Sequence, residues 1–258
     1  MDKYTVKVIV ASHKLYEMPI DEMYLPVQVG SYGKKSIGYQ RDDEGDNISS
    51  LNVYYCELTG LYWAWKNLNE DYIGLVHYRR LFSKNKHVLT LSDIEPFCGQ
   101  IKVFVPRKRR YYIETLKTHY VHTHYFEHLE ITENIIRKMY PAYLHAYHEA
   151  TNRTWGYMFN MMIMDKRLLN EYCIWLFDIL KNVFEQVDTS NYQPFEKRYI
   201  GRISEILFNV WLIYKVENSD INKNEVMELD CFVEENWLIK IPAFLKAKFL
   251  GKKYKESF

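Results

Sequence analysis

A single α/β domain is the fold this chain predicts, and three observations carry that reading. Short β-branched or apolar runs at residues 6–11, 72–78 and 101–105 alternate with longer stretches of helical apolar spacing. No Pro-, Gly- or Ser-rich linker divides the 258 residues. A hydrophobic content of 48% suffices at that length to bury one substantial core.

The first run, residues 6–11, reads as a central strand ending at Ser12, His13 and Lys14. Residues 32–50 are rich in Gly, Asp, Asn and Ser, including Gly38, Tyr39, Asp42, Asp43, Asp46 and Asn47, and read as a long loop of the kind that often carries function. Asn52 is placed to cap a helix over 53–68 that is apolar on nearly every side and therefore expected to be buried. Strands follow at 72–78 and 101–105, the latter stopped by Pro106 and a basic stretch, residues 107–110. Residues 155–164 read as one buried strand in which Asn160 is the only side-chain amide. Helices over 166–187 and 203–216 close the domain, taken as residues 1–236. Residues 237–258 mix Phe and Leu with lysines and read as a basic amphipathic segment suited to an anionic membrane surface.

Bulk composition excludes several classes. A net charge of +1 argues against a nucleic-acid binder with a broad basic surface. Cys56, Cys98, Cys173 and Cys231 form no C-x-x-C pair, so neither a zinc ribbon nor a disulfide framework is indicated, and a reducing cytoplasm is the expected setting. The N-terminus does not read as a signal peptide, and no apolar run is long enough to span a bilayer. An aromatic content of 16% fits stacking on flat or sugar-like ligands, and equally fits core packing.

The densest chemical signal is at residues 71–80, where the apolar run Ile73, Gly74, Leu75, Val76 delivers His77, Tyr78, Arg79 and Arg80 at its end. Ligands of α/β folds bind beyond the carboxyl ends of strands, and the guanidinium fork matches phosphate oxygens, so an anionic ligand is expected there. His119, His122, His124 and His128 first suggest a metal, but no carboxylate or Cys completes a familiar ligand spacing, and hydrogen bonding ranks above metal binding. A lone Asn160 in an apolar run needs a partner, either structural or a ligand. Glu205, read as a first-turn helix residue, has a structural reason in the helix dipole and is also a candidate catalytic carboxylate.

The blocks at residues 46–49, 52–67, 72–80, 112–116 and 158–161, with 232–237, resemble one bacterial family. It is the family of capsular and exopolysaccharide biosynthesis glycosyltransferases catalogued as a domain of unknown function, with some members assigned as galactosyl- or galactofuranosyltransferases. The resemblance covers nearly the whole chain and implies a GT-A-like, Rossmann-type fold, a UDP-sugar donor and a lipid-linked oligosaccharide acceptor. With the cysteine usage, the basic C-terminal segment and the near-neutral charge, the expectation is a cytoplasmic enzyme, peripheral at the inner face of the plasma membrane, with no nucleic acid among its partners.

On that resemblance Ala11, Ser12 and His13 lie beside uracil or ribose. Gly38, Tyr39, Asp43, Asp46, Asn47, Asn52, Glu57 and Asn160 complete the expected donor-binding set. The chain departs from the usual Asp-x-Asp metal motif and carries His77, Tyr78, Arg79 and Arg80 at the corresponding strand end. Cationic side chains could then stabilise the leaving diphosphate with no cofactor required, while a divalent Mn or Mg ion held by Asp42, Asp43 or Asp46 stays open. Glu205 is the favoured base for an inverting transfer, with Asp43 and Glu57 as the other candidates. The competing readings are a carbohydrate- or nucleotide-binding module and a metal-dependent hydrolase built on the histidines from His119 to His128.

Overall fold

The computed structural model describes residues 4–233. Its strands are β1 Val6–Ser12, β2 Tyr24–Gln28, β3 Gln40–Arg41, β4 Tyr72–His77, β5 Arg80–Lys84 and β6 His87–Val88, then β7 Val103–Pro106, β8 Arg109–Arg110, β9 Trp155–Gly156, β10 Met162–Asp165 and β11 Val226–Val233. Its helices are α1 Asn52–Tyr55, α2 Leu58–Asn67, α3 Leu91–Ile94 and α4 Leu116–Val121, then α5 Glu127–Met139, α6 Leu144–Asn152, α7 Lys166–Gln186 and α8 Tyr199–Glu217. The α/β expectation holds. Residues 237–258, read as a basic amphipathic segment, lie outside the described residues.

Nine strands form one mixed sheet in the order β3-β2-β1-β4-β10-β7-β11-β5-β6, while β8 and β9 pair as a separate ribbon. Period-two alternation divides each central strand between two cores. Ile9, Ala11, Ile73, Leu75, Val103, Val105, Met162 and Met164 face the larger core with residues of α2, α5, α6, α7 and α8. Val8, Val10, Tyr72, Val76, Phe104 and Ile163 face the smaller core with Met23, Leu89 and Ile94. Gly74 is required where β4 meets β10, because a Cβ there would come within 2.8 Å of the Met162 carbonyl oxygen.

The parallel half of the sheet has the order β3-β2-β1-β4: the chain moves outward from β1 to β2 and β3, then returns to lay β4 on the other flank of β1. Strand order therefore reverses between β1 and β4, and a crevice opens beyond their carboxyl ends. β7 and β11 run in the same direction as β4, because β10 is antiparallel to both β4 and β7 while β11 is parallel to β7. Their carboxyl ends share that edge.

Four local expectations are corrected. The helix expected over 53–68 breaks at Cys56, whose φ of 52° and ψ of −131° no helix accommodates. Asn52 does not cap: it is the first residue of α1, and its Nδ2 donates to the Cys56 carbonyl at 2.7 Å and the Thr59 hydroxyl at 3.0 Å. The strand expected over 155–164 is two short strands separated by a turn in which Phe159 and Asn160 both have positive φ, 75° and 52°. α8 starts at Tyr199 rather than near Ile203, so Glu205 sits in its second turn and the first-turn dipole does not account for it.

Candidate active site

The site grows from the switch point. Ala11 and His77 are register partners across β1 and β4, and His77 in turn pairs with Arg80 across β4 and β5, so one tight turn holds Tyr78 and Arg79 at the edge. Ala11 is buried in the sheet, and its carbonyl accepts from the Tyr78 amide at 3.3 Å. Ser12 is buried too, with its hydroxyl donating to the Lys14 carbonyl at 2.6 Å. His13 is exposed and meets the Tyr78 ring edge-on at 5.5 Å. Its pKa is lowered, first by partial desolvation of the ring and then by the charges of Lys14, Arg79, Lys34 and Arg198. Lys14 and Arg79 stand over the same Tyr78 ring, each 5.5 Å from its centroid.

The left-handed turn at Phe159 and Asn160 supplies the floor. Its Phe159 carbonyl lies 2.7 Å from His77 Nε2, and since a carbonyl only accepts, Nε2 carries the proton. The Phe159 ring lies between two guanidinium groups, Arg80 at 4.5 Å and Arg109 at 5.5 Å from its centroid. Asn160 is buried and fully committed to the protein. Its Nδ2 donates to Glu57 Oε1 at 2.7 Å and to the Gly201 carbonyl at 3.0 Å, and its Oδ1 accepts from Ser204 at 2.9 Å.

Glu57 reaches this turn because the chain breaks at Cys56. Burial raises its carboxyl pKa, but the His77 charge, the Asn160 hydrogen bond and Arg198 more than offset it and leave the group below the ordinary glutamate value. Arg198 is fixed from the other side by donating Nε to Cys56 Sγ at 3.3 Å. One turn further along α8, Arg202 donates to Glu205 Oε1 at 3.1 Å. Glu205 Oε2 has no hydrogen-bond partner among the described residues. The charge of Glu205 acts on both Tyr111 and Arg198.

The expected residues therefore divide. His13, Glu57, His77, Arg79, Arg80, Asn160 and Glu205 gather at the edge. The loop residues are instead bonded to protein partners. Asp42 is buried and accepts from the Gly30 and Ser31 amides and from the hydroxyls of Ser31, Ser49 and Thr59, at 2.5 to 3.0 Å. Asp43 is paired with Arg41 at 2.6 Å, and that hydrogen bond holds its carboxyl below the ordinary value. Asp46 accepts from the Tyr62 hydroxyl at 3.3 Å, while Asn47 bonds within its own turn to the Gly45 carbonyl and the Ser49 amide. Tyr39 clamps Tyr16 through both its amide and its carbonyl, and the neighbouring Gly38, with a φ of 86°, is exposed. Arg109, Arg198 and Arg202 join the site without having been singled out. Only Arg109 had a signal, in the basic run after Pro106.

The four histidines do not share one centre. His128 is buried between the hydroxyls of Tyr120 and Tyr192, each at 2.8 Å. His119 and His122 both approach the buried Glu114, at 3.0 and 2.9 Å, and His124 Nδ1 lies 3.0 Å from the Thr123 hydroxyl. Among the described residues the one threesome able to hold a metal is His145, Glu149 and Glu217, on the surface of α6 and the last turn of α8. Twelve residues of helix separate Glu217 from Glu205, about 18 Å of rise. Also among the described residues, no helix is long and apolar enough to cross a membrane.

A family model described as "Domain of unknown function (DUF4422)" matches residues 7–217. The chain belongs to that family. DUF4422 here takes the form of the mixed nine-stranded sheet and its switch-point crevice. The same architecture occurs in a solved structure of WbbM, a bifunctional glycosyltransferase in its apo form, with a TM-score of 0.81 and 31% sequence identity. The alignment covers 90% of this chain and 46% of WbbM, so this DUF4422 chain spans about half of that protein. No curated protein matches the chain.

Proposed function

We propose that the chain is a hexosyltransferase. It moves galactose or galactofuranose from a UDP-sugar to a hydroxyl of a lipid-linked glycan, in capsule or exopolysaccharide synthesis at the cytoplasmic face of the membrane. The observation that carries this reading is the gathering of His13, Lys14 and Arg79 around the Tyr78 ring, each 5.5 Å from its centroid, beyond the carboxyl ends of β1 and β4. Such a cluster suits a diphosphate, and the likeness to WbbM supports the reaction class.

In this scheme the acceptor oxygen attacks the anomeric carbon while the bond from that carbon to the diphosphate oxygen breaks. The electron pair leaves on the diphosphate, where Arg79, Arg80 and His77 stabilise the growing charge in place of a metal. Glu205 takes the acceptor proton through Oε2, with Oε1 held by Arg202. Attack on the face opposite the leaving group inverts the anomeric configuration. Asn160 and Glu57 are positioning residues: they fix the turn whose carbonyl orients His77.

Calorimetric titration with UDP, with and without manganese and beside a purine nucleotide, tests the donor site. Binding of UDP unaffected by manganese is the expected result. Binding only with manganese would move the diphosphate to the aspartates of the 42–46 loop, and no binding would overturn the reading.

A further inference from the structure

His145 and Glu149 stand one turn apart on α6, on the same face of the helix. Glu217 reaches them from the last turn of α8, against which α6 packs. The imidazole Nε2 of His145 lies 4.0 Å from Glu149 Oε2 and 4.0 Å from Glu217 Oε1, too long for a hydrogen bond to either carboxylate. One ligand atom from each residue nonetheless lies within 4.8 Å of the other two. Arg153 is bonded to Oε1 of Glu149, which leaves Oε2 turned toward the imidazole.

The electrostatics of this meeting are unfavourable as they stand. Glu217 is the last residue of α8, where the carbonyl end of the helix dipole opposes an acid, and it faces a second acid, Glu149. Its carboxyl is held above the ordinary glutamate value, first by desolvation and then by the hydrogen bond and charge of Glu149. Glu149 itself is left below that value, because the Arg153 hydrogen bond and charge outweigh burial. Beside the three residues an open recess of about 440 Å³ is lined by His145, His148, Glu149, Asn152 and Arg153.

We infer that His145, Glu149 and Glu217 form a site for a zinc-class divalent cation that pins α6 to the end of α8. The ion neutralises both acids, answers the carbonyl end of α8 and takes the imidazole lone pair, so one ligand relieves every conflict at the cluster. One imidazole nitrogen and two carboxylate oxygens suit tetrahedral zinc, whose ligand atoms lie about 2.0–2.2 Å from the metal and therefore about 3.3 Å from one another. Closing to that spacing from 4.0 Å takes rotation of side chains that are 80%, 34% and 42% exposed. Water from the recess fills the fourth position. The nitrogen ligand selects a transition ion over magnesium, which prefers oxygen ligands alone.

Twelve residues of α8 separate Glu217 from Glu205, so this ion acts on the fold and not on donor chemistry. Zinc carried by the purified chain would then sit between α6 and α8 and would not argue against a metal-free donor site. The inference stands independently of the transferase reading.

The test is calorimetric titration of the full, metal-stripped chain with zinc chloride, beside the variants His145→Ala, Glu217→Gln and His87→Ala. The parent should bind zinc, and its melting temperature should rise with zinc concentration, since an ion held by the folded chain alone stabilises it. His145→Ala and Glu217→Gln, on different helices, should each weaken binding at least about tenfold and lose the zinc-dependent rise. Both should melt close to the parent in EDTA, which separates a lost ligand from a lost fold. His87→Ala removes an exposed histidine paired with Asp93 and should bind zinc as the parent does. Magnesium chloride at the same concentrations should produce no melting shift. No zinc binding by the parent, unchanged binding in either ligand variant, an equal loss in His87→Ala or an equal effect of magnesium would each overturn the site. UDP affinity should be the same in stripped and zinc-loaded chains, and a difference abolished by His145→Ala would overturn the separation of this ion from the donor site.

Discussion

The acidic loop at residues 42–46 and the basic edge at residues 77–80 are both dense in charge, and both follow parallel strands at the same side of the sheet. They use their charge in opposite ways. Asp42 is buried under five donors and Asp43 is closed by Arg41, so both carboxylates are taken up by protein donors. At the edge Arg79 stays exposed, and Lys14 stands with it over the Tyr78 ring. Residue type alone would have made either region a phosphate or metal site. Whether the charge is already spent inside the protein is what separates a structural knot from a candidate binding surface.

Breaking each region should therefore have different consequences. Asp42→Ala leaves two buried amides and three hydroxyls without their acceptor, and we expect it to cost about 3–5 kcal/mol of stability in a urea melt. A loss below about 1 kcal/mol would mean that water replaces the carboxylate and that the loop is not the knot described. Arg80→Ala should do the reverse: turnover falls about 10²- to 10³-fold, equivalent to about 3–4 kcal/mol of transition-state stabilisation, while the urea midpoint moves little. Unchanged turnover in both Arg79→Ala and Arg80→Ala would remove the edge from the mechanism.

That contrast also marks how far the sequence could be read. β1, β4 and α7 were legible because their β-branched runs and 3.6-residue periodicity are local properties. The edge cluster at His77, Arg79 and Arg80 was legible because strand ends are where α/β folds bind ligands. The breaks at Cys56 and at Phe159–Asn160 were not, since neither carries Gly or Pro. Both residues of the second break adopt positive φ in a setting built from distant segments: Glu57, Gly201 and Ser204. β2 was hidden by Pro26, whereas β11 had a usable signal in the alternation of Met227, Leu229 and Cys231 with Glu228 and Asp230. Arg198 had none: it reaches the site only through the fold that sets Cys56 beside it.

Asn160 lies between the two extremes, because its hydrogen bonds are all to protein yet hold the floor of the site. Asn160→Ala should cost about 2 kcal/mol in stability by leaving Glu57 and Ser204 short of a partner. It should also weaken UDP binding by calorimetry, since the turn that presents Phe159 to His77 loses its anchor. Lost stability with unchanged UDP affinity would make Asn160 a core residue and nothing more.

The smallest expected effect uses pH to compare one carboxyl from each region. Asp43 is held below its ordinary pKa, first by the Arg41 hydrogen bond, and Glu57 is held down by the His77 charge, Asn160 and Arg198 against the opposing pull of burial. A carboxyl whose folded pKa is depressed contributes stability that is present above its unfolded value, about 4, and is lost as pH falls through the lower folded value. Both groups should therefore steepen the acid limb below about pH 4, and Asp43→Asn or Glu57→Gln should each flatten it, Asp43 by under about 1 kcal/mol because its pair is partly solvated. The two variants part company with ligand. Because Glu57 and His77 are bonded to the same Phe159–Asn160 turn, Glu57→Gln should change how UDP affinity varies with pH, whereas Asp43→Asn should leave that dependence as it is in the parent. Titrations at several pH values that gave the opposite assignment would move the donor site from the basic edge to the acidic loop.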